Sequence, residues 1–218
     1  MNDIQNKAIW FITDILYKIT AIVFNIILRI NGKLTVQGKE NVPSDGGLII
    51  ASNHISYLDP PVLGSVSPRR ITFMAKKGLF DIPILGFIIR SAAFPVDRDN
   101  PKPSTIKETI KRLKRGEAIT IFPEGQRNTS GNLLEAKRGL GMIAGISKAT
   151  IIPALIIGTD LALPENAKFL KRADISVVFG KPIYYNSISG SKDLKGHQLH
   201  DAISAEVMAA IEKLKGGI

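Results

Sequence analysis

Leu48-Ile49-Ile50-Ala51-Ser52-Asn53-His54-Ile55-Ser56-Tyr57-Leu58-Asp59-Pro60-Pro61 is the stretch on which both the fold and the chemistry of this chain turn. It opens with a short apolar run, Gly47 to Ala51, that reads as a strand. It then enters a polar loop where an imidazole stands five residues ahead of a carboxylate. A His held by an Asp takes a proton from a hydroxyl near neutral pH. The chain contains no Cys, and no G-x-S-x-G elbow presents a serine. The pair therefore points to a base that activates a hydroxyl of the substrate itself. Asp59 stands before Pro60 and Pro61. The residue before a proline is pushed towards extended geometry, and proline favours the first helical position. Asp59 is thus expected to cap a helix and turn its carboxylate back to one nitrogen of His54, leaving the other as an acceptor in a cleft. Taken alone, the two residues also read as a loop His bonded to backbone beside a capping Asp.

Working outward, strand-like runs alternate with helical ones. The strands are expected at Leu34 to Gln37, Gly47 to Ala51, Ile71 to Ala75, Ala118 to Phe122, Ile151 to Gly158 and Ile175 to Phe179. The helices are expected at Pro83 to Ile89, Ser104 to Arg115, Leu134 to Lys148 and His197 to Leu214, with Ser104 as a cap. This alternation predicts an α/β fold, a largely parallel sheet flanked by helices. Gly139, Gly141 and Gly145 each weaken the third of these helices by about 1 kcal/mol relative to Ala, so close packing or ligand approach is expected to compensate. Ligands of open α/β sheets gather beyond the carboxyl ends of the strands. The run Ile119 to Phe122 ends in Pro123-Glu124-Gly125-Gln126-Arg127, so this loop and the His54 loop are expected to face one crevice.

The 218 residues fit one globular domain plus an appendage. With 29 Lys plus Arg against 19 Asp plus Glu, the formal charge is +10, which attracts nucleic acid, acidic small molecules or an anionic bilayer. Aromatic residues are only 6% and are not interleaved with the basic ones, so nucleic acid is not the expected partner. Absence of Cys removes disulfides, thiolate metal sites and thiol catalysis. No His/Asp/Glu cluster has metal-ligand spacing, so no metal is expected.

Ala8 to Ile30 is densely apolar, without the basic start and small-residue cleavage site of a signal peptide. It is long enough to span a bilayer. Asp14 and Lys18, at i,i+4 spacing near its middle, make a clean span costly. An interfacial helical anchor with Trp10 and Tyr17 at headgroup depth is expected; the alternative is a buried core helix.

Four further features carry charge at element ends. Glu124 suits either the orienting of a substrate hydroxyl or the holding of its own loop through backbone N–H groups. Gly125 lets backbone approach a ligand, and Arg127 suits bidentate phosphate binding. Arg98, in Phe94-Pro95-Val96-Asp97-Arg98, is a second phosphate candidate. Lys76 and Lys77 follow the strand from Ile71, and Lys137 opens a Gly-containing helix. Singly these are solvated charges; together they resemble an anion cradle.

With these residues in view, the chain resembles the 1-acyl-glycerol-3-phosphate acyltransferases, the glycerolipid acyltransferases with an N-H-x-x-x-x-D motif. Asn53, His54, Asp59 and Pro60 match the first block and Phe94 to Arg98 the second. Phe122, Pro123, Glu124, Gly125 and Arg127 match the third, with Gln126 and Asn128 in place of Thr and Ser. Ile152-Pro153-Ala154 resembles the fourth. The resemblance runs from about Val36 to Lys181. It implies that His54, oriented by Asp59, deprotonates the sn-2 hydroxyl of lysophosphatidic acid for attack on the thioester of acyl-CoA or acyl carrier protein, giving phosphatidic acid. It implies that Arg98 and Arg127, with Lys76 or Lys137, hold the phosphate while Glu124 and Gly125 position the glycerol. No bound cofactor is implied, the acyl donor being a co-substrate. Another acceptor (glycerol-3-phosphate, a lyso-phospholipid or an aminolipid) fits the same motifs. The expected layout is an anchor over 1–31, folded as paired helices entering one leaflet, and an acyltransferase domain over 32–218. The expected location is the cytoplasmic face of a membrane with anionic lipid. The apolar patch from Phe80 to Ile89 reads as extra anchor, acyl groove or core.

Overall fold

The structure, a computed structural model, describes residues 3–97, 103–128, 133–188 and 193–217, with side chains from Phe11 onward. In chain order the elements are α1 (Asp3–Asn31), β1 (Leu34–Gln37), β2 (Leu48–Ser52), α2 (Asp59–Val66), β3 (Ile71–Lys76), α3 (Leu85–Ala92) and β4 (Ala93–Val96). There follow α4 (Pro103–Lys114), β5 (Ala118–Ile121), α5 (Gly139–Ser147), β6 (Thr150–Ile157), α6 (Thr159–Ala162), β7 (Ile175–Phe179) and α7 (Gly196–Lys213). The described strands form one sheet in the order β1-β7-β6-β2-β5-β3-β4, parallel throughout except where β7 meets β6. The α/β fold is therefore as expected, with a mixed, largely parallel sheet.

Burial explains the apolar runs. Every residue of β2 is buried and Leu48, Ile49 and Ile50 are fully so, as a central parallel strand requires. Helices cover both faces. On one, Leu28 of α1, the α2 residues Val62, Leu63 and Val66, and Ala162 of α6 pack on Ile50, Ile152 and Val177. On the other, Leu113 of α4, Leu140 of α5 and Ile203 and Val207 of α7 pack on Ile49, Ile119 and Ile151. Two of the three α5 glycines serve close packing: a Cβ on Gly141 would lie 1.8 Å from the carbonyl oxygen of His200 in α7 and one on Gly145 3.3 Å from the His200 ring, whereas one on Gly139 would meet nothing within 4 Å.

Several expectations change. Phe94 to Val96, not among the expected strands, belongs to β4, an edge strand where Pro95 gives up a ladder donor at little cost. The helix expected from Leu134 starts at Gly139, because Leu134 and Lys137 are tied by their backbone N–H groups to Glu124 and Pro123. The helix expected from a Ser104 cap already contains Ser104, beginning at Pro103.

The N-terminal segment is one continuous 29-residue helix, not paired helices. Its Phe11–Asn31 portion is long and apolar enough to cross a membrane, yet one side is docked on the body. Tyr17, expected at headgroup depth, is buried: its hydroxyl donates to the Gly64 carbonyl and accepts from the Ile71 N–H, both at 3.2 Å. The side chain of Trp10 lies outside the described residues. Asp14 pairs with Lys18 at 2.8 Å and with Arg70 at 3.6 Å, so this charge in an apolar helix points to the body. The opposite side leaves Phe11, Ile12, Ile19, Ile22, Ile26 and Ile30 more than half exposed. A helix docked along one side and apolar along the other associates with a membrane as a peripheral or monotopic anchor. Next to it, the patch from Phe80 to Ile89 divides: Phe80 is buried, while Ile82, Ile84, Leu85 and Phe87 are exposed and extend the apolar surface.

Candidate active site

The three adjacent strands β6, β2 and β5 run parallel, so their carboxyl ends deliver Thr159, His54 and Glu124 to one edge. His54 leaves β2 two residues past its end. Its Nδ1 lies 2.7 Å from Asp59 Oδ2, and its ring stacks on Phe122 with centroids 4.0 Å apart and planes at 16°. Asp59 is not the cap of α2 but its first residue, Leu58 being the cap. Fully buried, its Oδ2 also accepts the backbone N–H groups of Ile55 (2.7 Å) and Ser56 (2.8 Å), and its Oδ1 accepts the Thr159 hydroxyl at 2.5 Å. The loop thus folds around the carboxylate as a pivot.

With an acceptor on Nδ1, the ring proton belongs there and Nε2 carries the lone pair. Among the described residues no hydrogen bond engages Nε2, and the side chain is 6% exposed. The His–Asp pair is thereby positioned for base catalysis.

Glu124, 2% exposed, spends both oxygens on its surroundings. Oε1 accepts the His54 N–H at 3.2 Å, and Oε2 accepts the Asn128 side-chain amide at 2.8 Å and the Leu134 N–H at 3.1 Å. The Asn128 N–H in turn donates to the His54 carbonyl at 2.7 Å. Gly125 adopts φ +69°, and the aliphatic chain of exposed Lys137 lies over it, 2.7 Å from where a Cβ would stand. Arg127 stacks over the Tyr57 ring at 3.7 Å, donates to the Tyr57 hydroxyl at 3.0 Å and pairs with Glu165 at 3.1 Å. It lines a cleft of about 240 Å³ with Ile55, Asp160, Leu163, Pro164 and Glu165. Lys76 ends β3 on the same edge of the sheet, exposed. Arg98 lies outside the described residues.

Two supports were not anticipated from sequence. Asn53 bridges to β6: its side-chain amide donates to the Ile156 carbonyl and accepts the Ile156 N–H, both at 2.8 Å, extending the β2–β6 ladder past its end. Thr159 had a legible signal, since Gly158-Thr159 follows the third strand whose carboxyl end meets this edge.

This geometry coincides with similarity to known proteins. An acyltransferase family model matches residues 33–157. The 1-acyl-sn-glycerol-3-phosphate acyltransferase of Bacillus subtilis is 40% identical over 172 residues, 78% of this chain and 83% of the relative. That of Streptococcus pneumoniae is 30% identical over 199 residues, 89% and 72% of the two chains. The crystal structure of the 1-acyl-sn-glycerophosphate acyltransferase PlsC from Thermotoga maritima superposes with a TM-score of 0.74 at 25% identity, covering 99% of this chain and 84% of that one. The chain belongs to the 1-acyl-sn-glycerol-3-phosphate acyltransferase family.

Proposed function

We propose that this protein transfers a fatty acyl group from the thioester of acyl-CoA or acyl carrier protein to the sn-2 hydroxyl of lysophosphatidic acid, giving phosphatidic acid. The observation that carries the reading is the 2.7 Å contact of His54 Nδ1 with buried Asp59, which leaves Nε2 as the proton acceptor. The hydroxyl proton passes to Nε2 as its oxygen attacks the thioester carbonyl. The C–O bond forms, the C–S bond breaks, and the departing sulfur takes the proton back from His54. Asp59 fixes the ring and balances the transient imidazolium. The thioester is a substrate, so no bound cofactor enters these steps.

Arg127 supplies the charge for the acceptor phosphate, a phosphate oxygen replacing the exposed carboxylate of Glu165. Arg98, Lys76 and Lys137 add to that cradle. Glu124 and Gly125 shape the acceptor site through the loop they hold. Residues 1–31 serve as the anchor and 32–218 as the catalytic domain, working at the cytoplasmic face of an anionic membrane. The test is a mass-spectrometric assay of Arg127→Ala in vesicles, offered lysophosphatidic acid and its dephosphorylated counterpart. Loss of charge-assisted hydrogen bonds is expected to lower kcat/KM for the phosphorylated acceptor about 10- to 100-fold and to leave the other unchanged. An undiminished preference for phosphate would overturn the role of Arg127.

A further inference from the structure

The connection between β6 and β7 carries an exposed feature that neither the chemistry nor the anchor uses. Phe169 is 83% exposed and Leu161 65% exposed, and Lys168, Lys171 and Arg172 beside them are also exposed. This segment is held firmly. Leu163 and Leu170 pack on the core layer shared with α1 and α2, the Lys171 N–H donates to the Ala162 carbonyl at 2.8 Å, and the Ala167 N–H donates to Pro164 at 2.9 Å. A Phe held outward by an ordered turn, flanked by three cations, is poorly suited to water.

Its position supplies the occupant. The carboxyl end of α1 abuts this segment: the Asn31 side chain donates to the Lys171 carbonyl at 2.6 Å, and a Cβ on Gly32 would meet the Ala173 carbonyl. Ile30, 80% exposed, belongs to the apolar surface of the anchor and precedes the Asn31 that bonds this segment. The segment also contains Glu165, the partner of Arg127 at the mouth of the cleft. The arrangement joins the membrane anchor to the catalytic edge.

We propose that residues 161–172 form a second membrane contact, in which Leu161 and Phe169 enter the interface of an anionic bilayer and Lys168, Lys171 and Arg172 bind its lipid headgroups. The contact seats the cleft of Arg127 on the lipid surface, so a lipid acceptor reaches it without crossing water. Its membrane-binding part is independent of the catalytic reading; only its effect on turnover rests on that reading.

The experiment measures partition of the full chain into phosphatidylglycerol–phosphatidylcholine and pure phosphatidylcholine vesicles. Phe169→Ser is expected to weaken binding to both about tenfold. Lys168→Gln, Lys171→Gln and Arg172→Gln combined are expected to weaken binding to the anionic vesicles by about fivefold for each charge neutralised, and to the neutral vesicles little. Turnover of an acceptor short enough to be monomeric in water is expected to be unchanged in both variants, while turnover of a vesicle-embedded acceptor falls. Because the chain has no Cys, Phe169→Cys carries an environment-sensitive dye cleanly. Its emission should shift to the blue on adding anionic vesicles, and a dye at Lys114→Cys, on the opposite layer, should not. Unchanged partition in both variants, or a silent dye at position 169, would overturn the proposal. Failure of the catalytic reading instead would show as wild-type protein that binds vesicles and turns over neither acceptor.

Discussion

Asp59 has no exposed surface, and its two oxygens accept from one imidazole, one hydroxyl and two backbone N–H groups. Burying a carboxylate is tolerated only when it is fully hydrogen-bonded, so each of these donors contributes to holding the His54 ring. Among the described residues Thr159 is the one hydrogen-bond partner of Oδ1, and it comes from a different strand end. Thr159→Val keeps the shape and removes the donor. The expected result is a loss of about 1–3 kcal/mol in stability and a kcat about tenfold lower, read by chemical denaturation and by turnover at saturating acceptor. Wild-type values for both would show that Thr159 does not position the pair. At this scale the sequence made His54 and Asp59 visible because their spacing is local. Thr159 and the Ile156 contact of Asn53 lie about a hundred residues away along the chain, where no local pattern reports them.

Among the elements, α1 shows most clearly how pattern and packing part. Its composition reads as a membrane helix, and the charges of Asp14 and Lys18 read as a penalty. The docked side resolves the conflict, since Asp14 faces Arg70 and Tyr17 ties the helix to both α2 and β3. Tyr17→Phe leaves the Ile71 N–H and the Gly64 carbonyl without their buried partner. It is expected to lower stability by about 1–3 kcal/mol while vesicle binding stays at the wild-type level, because the exposed side is untouched. An unchanged denaturation midpoint would mean that α1 does not unfold together with the body. The strands β1 and β7 match their expected limits residue for residue, helped by flanking turn residues. By contrast, β4 was hidden: four residues with a proline carry no strand period, and only pairing with β3 reveals them.

At the scale of the whole molecule, the sheet order sets the function. Because β2 lies between β5 and β6 and all three run parallel, the base, its support and the loop of Arg127 emerge at a single edge. Because β7 runs against β6, the start of β1 and the end of α1 arrive at that same edge. Catalysis and membrane contact are thus neighbours by topology, a relation that alternating runs in a sequence do not encode. At every scale the proposed function rests on Nε2 of His54 acting as the base. Its most direct test is steady-state turnover of purified His54→Ala with lysophosphatidic acid in vesicles and a thioester donor, alongside circular dichroism and vesicle binding. The expected result is a fold and membrane affinity like the wild type with kcat lower by about 10²–10⁴-fold or more, whereas a folded variant that keeps kcat within tenfold of the wild type would contradict the account.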